Sequence, residues 1–114
     1  MRVRRIVLTL AAAALAASAQ PVTQERLLNA SAEAKNWLMY NGDYAGRHHS
    51  GLTSIHPGNV KKLGLDWVFQ ARSLEKFETT PLVVDGVMYL TEAPNNVIAV
   101  DATTGRPYWV YEHK

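Results

Sequence analysis

Trp67-Val68-Phe69 returns 42 residues later as Trp109-Val110-Tyr111. Each triplet is aromatic, β-branched, aromatic, the residue types that suit a pleated, half-buried strand. Between them the chain is dense in strand and turn signals. "TPLVV" (80–84) and "VMYLT" (87–91) flank Asp85-Gly86. Two apolar runs joined by Asp-Gly predict a β-hairpin, because a type I′ turn needs two residues with positive φ. Pro81 sits at the entry of the first run, where its missing N–H does no harm. "VIAV" (97–100) reads as a further strand, and "DATTG" as an Asx-type turn leaving through Gly105. "PYWVYE" then begins a fresh strand.

With "LDWVFQ" (65–70) as the first strand, one interval holds four strands: 65–70, 80–84, 87–91 and 97–100. The fifth repeats the first. Four antiparallel strands recurring every 40–45 residues or so are the signature of a β-propeller blade. "PLVV" and "VIAV" are apolar without alternation, which suits a sheet covered on both faces. An ordinary β-meander with a chance Trp echo is the competing reading.

The start of the chain carries a different signal. Arg2, Arg4 and Arg5 precede an apolar stretch from Ile6 to Ala17, and Ala17-Ser18-Ala19 offers a small-x-small cleavage site. That order predicts a secretory signal peptide over residues 1–19, cleaved near Ala19. The stretch is too short to span a membrane, which takes roughly 20 apolar residues. Three of the twelve basic residues lie within residues 1–19, leaving nine against ten acidic ones. The basic balance of the whole chain therefore gives no reason to expect nucleic acid as a partner. There is no cysteine. An exported chain of this size thus folds without a disulfide, a thiolate nucleophile or a cysteine zinc site.

After the signal, Thr23 can cap a leader helix within residues 20–35. Trp37 and Met39 suggest a short strand before the Asn41-Gly42 turn. Asn59 can cap a single helical turn, "VKKL", with Gly64 as its stop. His48 and His49 are adjacent, so on a strand they would point to opposite faces. His56 and His113 lack ligand spacing, and no metal site is expected. Asp43 and Asp85 sit beside glycines and read as turn residues.

Ala99, Asp101, Thr104, Gly105 and Trp109 spell A-x-D-x-x-T-G-x-x-x-W. Asp101 can bond backbone N–H groups across the turn, and Gly105 can take the left-handed conformation. Trp109 then offers a large flat ring to a neighbour. This spacing resembles the tryptophan docking motif of quinoproteins, the propeller dehydrogenases that use pyrroloquinoline quinone (PQQ). "NWLMYNGDYAGRHHSGLTSIHPGNVKKLGLDWVF" resembles the N-terminal segment of PQQ-dependent alcohol dehydrogenases, and "FETTPLVVDGVMYLT" their first hairpin. The resemblance covers residues 36–114 and implies an incomplete eight-bladed propeller, about one blade plus the start of the next.

It also implies an enzyme that oxidises alcohols by hydride transfer to PQQ, with calcium or a lanthanide beside the cofactor. An electron-accepting cytochrome or quinone would be its partner and the periplasm its location. One cofactor contact carries over: Glu78, in "ETTPLVVDG". PQQ is a polycarboxylate, so a carboxylate meeting it must share a proton or recruit a cation. No residue here matches the family's vicinal cysteines, metal-binding acid and amide, or catalytic Asp. The expectation for these residues by themselves is an inactive, marginally stable fragment that binds no cofactor. The rival reading is a non-catalytic exported propeller scaffold, since fold does not fix function.

Overall fold

The computed structural model describes residues 20–114. Its centre is one antiparallel sheet of four strands in sequence order: β1 (Leu82–Val84), β2 (Val87–Glu92), β3 (Asn96–Asp101) and β4 (Pro107–Tyr111). The β1–β2 hairpin turns as its sequence predicts. Asp85 has φ 49° and Gly86 φ 83°, and Val84 faces Val87 across the turn. The β3–β4 turn is held by Asp101. Its Oδ1 accepts from Thr103 N at 2.8 Å and Thr104 N at 3.0 Å, and Oδ2 accepts from the Tyr108 hydroxyl at 2.8 Å. Those donors hold the Asp101 carboxyl below its ordinary range, the Tyr108 hydroxyl first. Gly105 closes the turn at φ 70°, its N–H donating to Asp101 O at 2.8 Å.

Register decides what each face of the sheet carries. Directly opposed residues on antiparallel strands share a face. Met88 opposes Val100, while Leu90 and Val110 both oppose Ile98. This face is the core: Leu90, Ile98 and Val100 are buried, the latter two 2% and 0% exposed, and Phe69 packs against them. Burying an aliphatic side chain of this size contributes about 1.5–3 kcal/mol. The other face carries Tyr89, Ala99 and Trp109 in one row and Val97 with Tyr111 in the next. Trp109 is 47% exposed and Tyr111 56% exposed.

Residues 65–70 correct the sequence reading. They belong to no strand, and the four-stranded sheet is completed by 107–111 instead. The second aromatic phrase therefore ends this sheet rather than opening the next. Both phrases alternate as strands do, yet only 107–111 reaches the hydrogen-bonding edge of β3. The first lies against the sheet's core face. Phe69 packs on the core there, and Trp67 covers Gly105 so closely that a Cβ on that glycine would overlap the indole.

The N-terminal segment closes the opposite edge. Trp37 N donates to Val83 O at 2.8 Å and Val83 N to Trp37 O at 3.0 Å, a single antiparallel bridge on the outer side of β1. Such pairing protects an edge that would otherwise template another chain. The leader is shorter than expected: α1 (Gln24–Leu28) and a 3₁₀ turn (Ala30–Ala32). Thr23 does cap α1, accepting from Arg26 N at 3.3 Å. Asn29 ends it, its side-chain amide donating back to Glu25 O at 3.1 Å in competition with the backbone.

Val60–Lys62 form the expected helical turn, as 3₁₀, but Asn59 does not cap it. Its side chain accepts from His56 N and donates to Ser54 O, both at 2.8 Å, tying the preceding loop. The signal-peptide reading falls on residues 1–19, outside the described residues. Among the described residues no helix is long and apolar enough to cross a membrane.

Candidate cofactor-facing site

Glu78 lies in the connection between the Phe69 segment and β1, and its side chain is exposed. The next residue fixes its backbone. Thr79 Oγ1 accepts from Thr91 N at 3.2 Å and lies 3.0 Å from the Thr91 hydroxyl, pinning this end of the connection to β2. Glu78 borders two shallow clefts. One, about 410 Å³, also has Lys76, Glu92, Asn95 and Asn96 in its wall. The other, about 400 Å³, is bordered by Tyr40, Thr80, Leu82 and Tyr89 on the open face of the sheet. A third gap of about 390 Å³, under the Phe69 segment, is mainly apolar and does not include Glu78.

Among the described residues Glu78 receives no hydrogen bond, so its carboxylate is available to an incoming group. Lys76 supplies a cation to the same cleft. Glu92 stands in the same wall, so two carboxylates face one ammonium there, and a polyanion fits this wall only with a shared proton or further cations.

The remaining polar candidates have local duties. His56 Nδ1 accepts from Gly58 N at 3.2 Å, and His113 sits against Tyr111 with ring centroids 6.4 Å apart. Asp43 pairs with Arg47. Asp85 accepts from Arg26 at 3.0 Å, and its backbone N–H donates to Asn36 Oδ1 at 2.8 Å. Arg26 also grips Glu33, at 2.9 and 2.7 Å, so one guanidinium ties the leader to the hairpin tip. Among the described residues no cluster of three or more His, Asp or Glu is placed to hold a metal ion.

Sequence reading missed Glu92. It is 5% exposed and accepts from Ser73 N at 2.6 Å across 19 residues of chain. The signal was present. Met88 and Leu90 face the core, and the period of two puts Glu92 on the same face.

The match to known proteins runs through this whole region. Residues 37–114 match the family model described as PQQ, glucose/ethanol/alcohol dehydrogenase, beta-propeller domain. The chain belongs to that family. Over 101 residues it is 38% identical to the quinohemoprotein alcohol dehydrogenase of Comamonas testosteroni, covering 89% of this chain and 14% of that protein. The solved quinohemoprotein alcohol dehydrogenase ADHIIG of Pseudomonas putida HK5 superposes with TM-score 0.76 at 39% identity, covering 79% of this chain and 13% of that one. A europium-containing methanol dehydrogenase superposes with TM-score 0.69 at 34% identity, covering 79% and 16%. The chain thus spans about one seventh of the curated relative's length. The sheet of 82–111 is a β-propeller blade, and the fold is a partial PQQ propeller.

Proposed function

We propose that these residues form the N-terminal sector of a quinoprotein dehydrogenase that oxidises alcohols by hydride transfer to PQQ, with Glu78 touching the cofactor. The observation that carries this is the placement of Glu78 within the family match. Among the described residues its exposed carboxylate receives no hydrogen bond, and Lys76 lines the same cleft. When bound, PQQ supplies the quinone that takes up the hydride. Glu78 would hold the cofactor's edge by sharing a proton with one of its carboxylates, and Lys76 would offset the paired negative charge. Calcium or a lanthanide would come with ligands from elsewhere in a longer protein, as would the base. An electron-accepting cytochrome or quinone completes the reading. By themselves the residues present are expected to turn over no alcohol, since a cofactor site needs convergent groups from many elements.

The proposal includes export. Residues 1–19 direct the chain to the periplasm and are removed, so N-terminal sequencing of the secreted product is expected to begin at Gln20. It also includes the docking role of A-x-D-x-x-T-G-x-x-x-W. Trp67 lying over Gly105 supports that role, with Trp109 presenting the same ring to the next blade.

The deciding experiment replaces the matching segment of the Comamonas enzyme with residues 37–114 and compares Glu78 with Glu78→Gln. Cofactor retention on gel filtration and turnover with a dye acceptor are read. Glu78→Gln is expected to lower PQQ retention by about tenfold, the loss of one charge-assisted hydrogen bond. Unchanged retention and turnover remove Glu78 from the site.

A further inference from the structure

We propose that Glu92 is a positioning residue that holds the Glu78 connection to the blade from the core side; its importance for the cofactor rests on the function proposed above. Glu92 is the last residue of β2, on the face shared by Met88 and Leu90, and only 5% of it is exposed. A buried carboxylate survives only with donors to satisfy it. Glu92 has them: its Oε1 accepts from Ser73 N at 2.6 Å, and Arg72 N–H and the Asn96 side chain also favour its charged form.

The neighbouring residue anchors the other end. Thr91, which points to the opposite face, bonds Thr79. Successive residues at the end of one strand thus clamp both ends of the segment 73–79. Between the clamps the chain has little other support, with Leu74 fully exposed and Phe77 47% exposed. Glu78 sits one residue from the Thr79 anchor and shares a cleft wall with Glu92 itself. Releasing Ser73 would move the near anchor of this loop back to Phe69 and lengthen its free span. Its ordering entropy would then fall on whatever ligand Glu78 meets.

The test starts with the 114-residue chain and needs no cofactor. Hydrogen exchange of segment 72–79 and tryptic cleavage after Arg72 and Lys76 are compared for Glu92, Glu92→Ala and Glu92→Gln. Glu92→Ala is expected to speed exchange and cleavage in that segment about tenfold while β3 exchanges as before. Glu92→Gln, whose amide oxygen still accepts from Ser73 N, is expected to restore most of the protection. Unchanged exchange in Glu92→Ala overturns the proposal. So does equal loss across β2 and β3, which would make Glu92 a residue of general stability.

In the Comamonas chimera, Glu92→Ala is expected to weaken PQQ retention and Glu92→Gln to rescue it. If the loop loosens in the chain while Glu78→Gln leaves retention untouched, the clamp stands and the cofactor assignment for Glu78 falls. If Glu78→Gln weakens retention but Glu92→Ala does not, Glu78 stays a cofactor contact and the positioning role falls.

Discussion

The two faces of one sheet differ in what covers them. On one face Met88, Leu90, Ile98 and Val100 lie under Phe69, with Glu92 satisfied at the margin. On the other, Tyr89 and Trp109 flank Ala99 with ring centroids 6.1 Å apart, and Trp109 and Tyr111 stay about half exposed. Both faces are apolar in sequence. The difference is that, among the described residues, the segment 65–73 lies over the first. A blade is a sheet with two faces to cover, and Phe69 packs on one of them.

The sharpest way to break that comparison is a matched pair of truncations. Ile98→Ala removes a 2% exposed side chain from the covered face. It should cost about 2–5 kcal/mol, a large fraction of what a domain of this size possesses. Trp109→Ala removes a larger side chain from the open face, yet should cost under about 1 kcal/mol, since half the ring is already in water. Urea titration followed by circular dichroism measures both. Equal costs would mean that the two faces are equivalent and that the cover seen on the first contributes little.

The faces were unequally legible in the sequence. Asp85-Gly86 and the Asp101–Gly105 turn were readable because their backbone demands are local and few residue types meet them. Trp109 was readable as a strand residue from its aromatic and β-branched neighbours, and it lies in β4. The covered face was not. Whether 65–70 pairs as a strand or lies across a sheet depends on which edges are within reach, and its residues suit both. Arg26 reaching Asp85, 59 positions away, left no trace that spacing could show. Glu92 lay between: period two placed it inward, but a lone acid ending a strand reads equally well as the first residue of a turn. At the candidate site, Glu78 was singled out by resemblance to a family, whereas its anchors Thr79 and Thr91 appear only once the strands are paired.

Two glycines sharpen the role of the cover. Gly105 and Gly86 have φ 70° and 83°, so alanine at either carries a left-handed backbone penalty of about 1–2 kcal/mol. They differ in surroundings. Nothing lies within 4 Å of a Cβ added at Gly86, while one at Gly105 would meet the Trp67 indole. Gly105→Ala should therefore cost more and displace Trp67, with a red shift and loss of tryptophan emission. Gly86→Ala should lower the midpoint by about 4–8 °C per kcal/mol and leave the emission in place. A Gly105→Ala chain with unshifted emission would show that Trp67 does not depend on this glycine.

The smallest effect expected concerns the leader, which covers an edge rather than a face. Arg26 holds the Glu33 carboxyl at about 2 against an ordinary 4.5, with help from Asn36, and lowers that of Asp85 as well. Both groups are depressed in the folded state, so their contribution is complete above the ordinary carboxylate range. It declines as pH falls from there through the folded values. The ion pairs are reached by solvent, which limits what they are worth.

The readout should therefore be local. Protection of the Trp37 and Val83 amides, corrected for intrinsic exchange, should hold down to about pH 4.5 and fall between there and about 2. The β2–β3 amides should change less over the same range. Glu33→Gln should weaken protection at neutral pH and reduce its pH dependence to the part that Asp85 contributes. If the Trp37–Val83 bridge keeps its protection at pH 2, the edge is held by its two backbone hydrogen bonds. The Arg26 cluster would then orient the leader without securing it.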